Sequence, residues 1–207
     1  MKKLREFFNP DNMVFRFLGT MGDLIILKLL TFILFVPVIT GGAAITSLDK
    51  CLGSIIRKEH KYILKPYFQT FREEFKKATC VWLFYLLILI SGFLNIQIFG
   101  AYAGILKMVC YFFMGFATVF VLYYFAILSR FENTMLGDIK NALVLMVGCL
   151  PQTILVIGIL AVTIGIVRMF DLSIAMLYVL FLFSLPAFGY MYVFEKIFEK
   201  FSASEVE

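Results

Sequence analysis

Few residues in this chain are of the types that carry out chemistry, and they form no recognised catalytic pattern. The only histidine, His60, lies in a basic stretch with no cysteine or carboxylate at a spacing that would hold a metal ion. The sequence has no HExxH motif, no glycine-rich phosphate loop and no GxSxG motif. Catalysis needs a nucleophile, a base or a metal, so we expect no enzyme, no cofactor and no metal site.

The cysteines show no spacing that indicates redox or metal chemistry. None of them forms a CxxC pair, and three of the four lie within uncharged apolar stretches. Buried cysteine behaves as a small hydrophobic residue. We therefore predict four free thiols and no disulfide bond, for Cys51, Cys80, Cys110 and Cys149.

A short stretch within the first apolar segment could interrupt a helix. Proline removes a backbone donor and glycine is conformationally free, so the candidate functional break consists of Pro37, Thr40, Gly41 and Gly42. Non-helical backbone at membrane depth is tolerated where protein or a water-filled cavity covers it, so the break could line a path for a solute. The alternative is a kinked helix that simply crosses the membrane.

Phenylalanines recur at three- and four-residue spacing before the second apolar segment. Charged residues occupy the opposite side, and this pattern predicts an amphipathic helix over about 66–77. Such a helix suits a membrane surface that contains anionic lipid, or a docking site for a partner protein. The candidate docking residues are Phe68, Phe71, Arg72, Phe75, Lys76 and Lys77.

The distribution of charge defines the elements that must position these residues. Hydrophobic residues make up 62% of the 207-residue chain and charged residues only 16%, unlike the composition of soluble domains. Five runs of at least 20 residues contain no charged residue, and this length crosses a hydrocarbon core about 30 Å thick. Backbone groups must be satisfied within each span, so we predict an all-α, polytopic transmembrane bundle with amphipathic interfacial helices. The single domain, 1–207, has predicted spans at about 24–47, 78–98, 108–129, 143–166 and 172–194.

Basic residues indicate which connections lie in the cytoplasm. The loop over 49–77 holds 8 of the 19 Lys and Arg residues, so this loop, the 130–140 loop and the C-terminus are predicted to be cytoplasmic. If the first run crosses once, 12 basic residues lie inside and 7 outside; if it enters and returns, the numbers become 17 and 2. We take one crossing as the default and the return as the alternative. Asn9-Pro10 predicts the start of a short amphipathic helix at the interface.

Three stretches, in their order and spacing, carry a resemblance to a known family. They are Pro37 to Ala44 shortly after Gly22-Asp23-Leu24, Phe68 to Lys77 before the second span, and Asp138 to Leu143 before the fourth. Together they resemble the YesL-like family of small bacterial membrane proteins, a domain of unknown function. Relatives are typically encoded beside carbohydrate ABC importers, so the resemblance implies a multi-pass protein of the bacterial cell membrane with an accessory role in sugar uptake. The family has no established catalytic residues to transfer.

Three hypotheses about function follow. The first is a non-enzymatic accessory component of a carbohydrate ABC importer, which packs against the permease subunits. The second is a small stand-alone channel or uniporter, alone or as a homo-oligomer, that uses the break at Pro37–Gly42. A membrane enzyme comes last, because the five apolar runs contain no His, Asp or Glu. The lipid bilayer is the expected environment, and basic residues that flank spans do not indicate nucleic-acid binding.

Overall fold

The computed structural model describes residues 13–57, 59, 62–99, 104–169 and 184–204. No strand occurs in these ranges, so the predicted all-α class is confirmed. His60, Asn9, Pro10 and positions 172–183 of the predicted fifth span lie outside the described residues. The helices are α1 (Met13–Phe35), α2 (Gly41–Ile56), α3 (Leu64–Glu73), α4 (Phe75–Phe99), α5 (Gly104–Arg130), α6 (Met135–Gly148), α7 (Leu150–Met169) and α8 (Ser184–Ser204).

Two of these helices are long and apolar enough to cross a membrane. They are α4, over Phe75–Ile98, and α5. Helices α6 and α7 together have the same length and apolar character, but they meet at an angle of 94°. The described residues therefore offer two crossings, or three if the bent pair counts as one, and the predicted number of about five spans is not confirmed.

Helix α2 is the centre of the fold. It contacts α1, α3, α4, α5 and α8, and 12 of its 16 residues are buried. A side chain on Gly42 would lie 2.6 Å from the Ala78 carbonyl oxygen of α4, so the glycine allows this close approach. The core around α2 is rich in aromatic rings, which include Tyr67, Tyr124, Phe125 and Phe194.

The first apolar segment is divided between two helices. Helix α1 ends at Phe35, α2 begins at Gly41, and Val38 between them has a left-handed backbone with a φ of 52°. Pro37 has no N–H to continue the hydrogen-bond pattern of α1, which accounts for the end of the helix. The predicted interruption at this proline is therefore present in the fold.

The chain also reverses direction at this interruption. The hydroxyl oxygen of Tyr67 lies 3.0 Å from the Thr31 hydroxyl oxygen of α1 and 3.4 Å from the Ala44 carbonyl oxygen of α2. A straight helix would place two residues 13 positions apart at a distance of about 20 Å, too far for one hydroxyl group to reach both. One continuous span over 24–47, the default expectation, is therefore wrong, and the reversal agrees with the alternative in which the segment enters and returns.

The fourth apolar segment also contains a break. Helix α6 ends at Gly148 and α7 begins at Leu150 with the 94° bend between them. Pro151 cannot donate to the carbonyl group four residues earlier, and the Thr153 hydroxyl instead donates to the Met146 carbonyl oxygen at 2.8 Å. The predicted span over 143–166 is therefore interrupted, because the proline ends the hydrogen-bond pattern of the helix and a threonine side chain satisfies a carbonyl group at the bend.

Candidate functional site

Of the residues of the predicted break, Gly41 and Gly42 lie against Ala78 and Trp82 at the start of α4. Pro37 and Thr40 lie in the turn that precedes α2. The indole N–H of Trp82 donates to the Val38 carbonyl oxygen at 2.7 Å. The Thr40 hydroxyl donates to the Leu34 carbonyl oxygen. Two of the carbonyl groups freed by the break are thus satisfied by side chains, and Trp82 is a partner that the sequence analysis missed.

The predicted docking residues do not share one helix. Helix α3 ends at Glu73 and α4 begins at Phe75, so the prediction of one amphipathic helix over 66–77 is wrong. Phe71 and Phe75 are half-buried against the core, with ring centroids 5.6 Å apart. Phe68 is 50% exposed. Of the three predicted phenylalanines, Phe68 is therefore the one most available to a lipid or a partner.

The basic residues of this region also divide into two kinds. Arg72 and Lys76 are exposed. Lys77 is half-buried, ion-paired with Glu74 at 3.1 Å, and donates to the Asn133 carbonyl oxygen at 3.0 Å. Lys77 therefore fastens the start of α4 to the α5–α6 connection, whereas the other two cations can reach a ligand outside the protein.

A group of buried polar side chains, absent from the predictions, joins α2, α5 and α8. Glu195 of α8 is 1% exposed and forms ion pairs with Arg57, which follows α2, and with Arg130, which ends α5. The distance from Arg130 Nη1 to Glu195 Oε2 is 2.7 Å, and Arg57 Nη1 donates to the other carboxylate oxygen. Arg57 Nε also lies 2.8 Å from Glu59 Oε1. One buried carboxylate therefore ties three helices together.

Small and aromatic residues shape the surroundings of this ion pair. A Cβ atom at Gly53 would lie 2.5 Å from Glu195 Oε1, so the glycine of α2 leaves room for the carboxylate. The Arg130 guanidinium lies 5.8 Å from the centroid of the Phe198 ring. Cations at this distance from an aromatic face are stabilised by the ring, which helps to hold the arginine beside α8.

A second buried carboxylate lies on α2, about two turns before Arg57. Asp49 is fully buried, and Tyr190 of α8 donates to its Oδ1 at 2.7 Å. The other oxygen, Oδ2, forms no hydrogen bond with any residue that the structure describes. We name the set Asp49, Arg57, Arg130, Tyr190 and Glu195 the buried charge cluster.

Burial dominates the electrostatics of both carboxyl groups. It raises the pKa of Asp49 to about 7, and the hydrogen bond from Tyr190 opposes this rise only in part. Burial also raises the pKa of Glu195, and the guanidinium groups of Arg57 and Arg130 oppose that rise. The cluster therefore contains one carboxylate balanced by two cations and one whose hydrogen-bond donor is a neutral phenol.

The sequence analysis missed the cluster because its charges directly follow the uncharged runs. Asp49, Arg130 and Glu195 are each the first residue after the end of a run. Charges at such positions usually mark the boundary of a membrane span. The signal that could have identified them is opposite charge at the ends of three spans predicted to end on the same side of the membrane.

Two cavities lie near these elements. The first, of about 240 Å³, is polar and opens beside the buried charge cluster, with Lys50, Gln69, Thr70, Glu73, Ser129 and Arg130 in its lining. The second, of about 540 Å³, is apolar and lies between α5, α6 and α7, with Tyr111, Phe116, Met146, Ile157 and Ile164 in its lining. Among the described residues, no group of three His, Cys, Asp or Glu side chains is placed to hold a metal ion.

Comparison with known proteins finds one family model that matches part of the chain. No curated protein and no solved structure matches the chain. A family model with the description "Protein of unknown function, DUF624" matches residues 24–96. This range contains the break, the central helix α2 and the exposed face of α3. It confirms the resemblance to an uncharacterised family, and the narrower YesL-like label is not confirmed.

Proposed function

We propose that this protein is a non-enzymatic membrane component that docks against a membrane-embedded partner, the permease of a carbohydrate ABC importer. The observation that carries the proposal is the exposed face of α3. Phe68 is 50% exposed, whereas the neighbouring Tyr67 is fully buried and fixes the helix to the core. Aromatic and arginine side chains that are rigidly displayed in this way are typical anchors of protein interfaces.

The charges around Phe68 suit a site at the membrane surface. Lys65, Arg72 and Lys76 are exposed beside the same helix. An aromatic residue flanked by cations can rest at the headgroup level and contact the cytoplasmic end of a neighbouring transmembrane helix. The choice of an importer permease as the partner rests on the resemblance to the YesL-like family.

We place the exposed face of α3 and the C-terminus in the cytoplasm of a multi-pass protein of the bacterial cell membrane. This orientation puts 17 of the 19 basic residues inside if the first segment enters and returns. The reversal of the chain between α1 and α2 supports that count. The face would then lie on the side of the membrane where the ATPase subunits of an importer act.

The hydrogen bonds at the break support docking over a stand-alone channel. A path for a solute through the break would need free backbone groups near Val38. The Val38 carbonyl oxygen accepts from Trp82, and the Leu34 carbonyl oxygen accepts from Thr40. These contacts suit a structural turn that positions α2, and α2 in turn positions α3.

The test is capture of the permease from native membranes with tagged protein as the bait. The wild-type protein should retain the permease subunits, and the double variant Phe68→Ser with Arg72→Glu should lose at least about 90% of them, since interface anchors of this kind contribute about 2 kcal/mol or more. Phe112→Ser is the matched control, because Phe112 is 69% exposed on α5 and lies outside the proposed face.

Two results would refute the docking function. The first is purification of the wild-type protein without permease subunits, together with unchanged sugar uptake in a deletion strain. The second is flux of a sugar or an ion into liposomes that contain only this protein, which would establish the channel instead.

A further inference from the structure

The interface between α2 and α8 contains two buried carboxyl groups with different charge balance. Glu195 is paired with Arg57 and Arg130. Asp49 has one hydrogen bond, from the neutral hydroxyl of Tyr190, and no ion pair with a residue in the described ranges. An ionised carboxylate that is buried without a cation carries a large free-energy penalty, and proteins usually remove this penalty by protonating the group.

The neighbouring elements do not supply the missing cation. Within the described ranges, Tyr190 is the only titratable or charged side chain of the neighbouring helices that forms a hydrogen bond or ion pair with Asp49. The titratable or charged side chains on α2 and on the helices that contact it include Lys28 of α1, Lys50, Cys51 and Arg57 of α2 and its end, Tyr67 of α3, Lys77 of α4, Tyr124 and Arg130 of α5, and Tyr190 and Glu195 of α8.

We propose that Asp49 is a proton-binding site, and that its occupancy sets how tightly α8 docks on α2. With the proton bound, the interface contains a neutral carboxyl group that accepts from Tyr190. When the proton leaves, the interface contains a buried anion that no cation balances, and α8 is held mainly by the Glu195 ion pairs and its apolar contacts. This property goes beyond the proposed docking function and does not depend on it.

The electrostatics give the pH range in which the site acts. Burial raises the pKa of Asp49 to about 7, well above the value of about 3.9 in an unfolded chain. The folded state therefore binds the proton more tightly than the unfolded state. The resulting stability is fully present below about pH 4 and is lost as the pH rises towards about 7. The site is thus half occupied near the pH of a bacterial cytoplasm.

The direct test is infrared spectroscopy of the full-length protein in detergent, titrated from about pH 5 to about pH 9 around the midpoint expected for Asp49. A protonated carboxyl group gives a carbonyl band that disappears on ionisation. We expect a component of this band to titrate near pH 7 in the wild-type protein, and this component to be absent in Asp49→Asn. Tyr190→Phe should raise the midpoint, because it removes the hydrogen bond that stabilises the anion.

Hydrogen exchange of the α8 amides measures the consequence for docking. After correction for the chemical exchange rate, the protection of the backbone amides of residues 184–204 should rise on acidification in the wild-type protein. In Asp49→Asn, this protection should stay constant with pH. The proposal is overturned if the band component that titrates near pH 7 persists in Asp49→Asn, or if α8 responds to pH equally in both proteins. If Asp49→Asn fails to fold, the Tyr190→Phe midpoint decides: an unchanged midpoint, or a titration near pH 4, refutes the site.

Discussion

Arg130 Nη1 lies 2.7 Å from Glu195 Oε2, and this ion pair joins the end of α5 to α8 inside the protein. Arg57 holds the other oxygen of the same carboxylate and also pairs with Glu59, whereas Glu195 is the carboxylate that balances Arg130 among the described residues. Removal of one member of a buried ion pair leaves a buried charge without compensation, which is more costly than the pair itself is stabilising. The cluster therefore makes the docking of α8 sensitive to single substitutions.

Glu195→Gln should strongly destabilise the protein. The substitution keeps the size of the side chain but leaves two guanidinium groups facing a neutral amide, and we expect a loss of about 3–5 kcal/mol in the free energy of unfolding. Thermal unfolding in detergent, followed by circular dichroism, measures the change. Glu132→Gln is the matched control, because Glu132 is exposed in the connection between α5 and α6 and its replacement should have little effect. Equal melting temperatures for the two variants would contradict the structural role of the ion pairs.

The helical class of the protein could be predicted from the placement of charge, but the path of the chain could not. Pro37 and Pro151 mark the two interruptions, and the proline at 37 was a predicted candidate for one. Whether a helix kinks, bends by 94° or reverses depends on which side chains satisfy the freed carbonyl groups. Those partners, Trp82 and Thr153, come from tertiary contacts and from the local turn, which hydropathy does not report.

The candidate sites, like the fold, could be predicted from the sequence only in part. The pattern of phenylalanines correctly placed an amphipathic helix near Phe68, but it could not show that Tyr67 faces the core and that the helix ends at Glu73. The charges of the buried cluster follow apolar runs, where charge usually means contact with water. Their burial depends on the convergence of α2, α5 and α8, and no local property of the sequence predicts that convergence.

Trp82→Phe should weaken the turn between α1 and α2. Phenylalanine retains an aromatic ring opposite Phe35, whose ring centroid lies 5.6 Å from that of Trp82, but it removes the donor to the Val38 carbonyl oxygen. The Val38 carbonyl oxygen still accepts from the Gly41 N–H at 3.1 Å, so only one of its two hydrogen bonds is lost. We therefore expect a decrease of about 0.5–1.5 kcal/mol in the free energy of unfolding. Denaturant titration measures it. Phe84→Leu, at a side chain that is 66% exposed on the same helix, is the control. A loss no larger than that of the control would show that the indole hydrogen bond contributes little.

Cys51 should resist alkylation in the folded protein. Burial raises the pKa of its thiol to about 12, and the charge of Lys50 opposes the rise only in part. At pH 8 about one thiol in ten thousand is then ionised, and the thiolate is the reactive form. In a variant whose only thiol is Cys51, maleimide should label little protein in mild detergent and nearly all of it in SDS. Tyr62→Cys in a cysteine-free background is the control, because Tyr62 is 80% exposed and its replacement should react in both conditions. Similar labelling rates in mild detergent would contradict the buried position of Cys51.

Gly42→Ala should be more damaging than the same change in other helices. Alanine normally stabilises a helix by up to about 1 kcal/mol relative to glycine. At position 42 its methyl group would lie 2.6 Å from both the Ala78 carbonyl oxygen and Trp82 Cβ, so α2 and α4 would have to separate. We expect a net loss of about 1–3 kcal/mol in the free energy of unfolding, the usual effect of an overpacked core. Gly158→Ala in α7 is the matched control, because no atom lies within 4 Å of the added carbon, and its stability should stay equal or rise slightly. Thermal unfolding of both variants checks the difference, and a Gly42→Ala protein as stable as the wild type would mean that the contact between α2 and α4 is looser than the structure indicates.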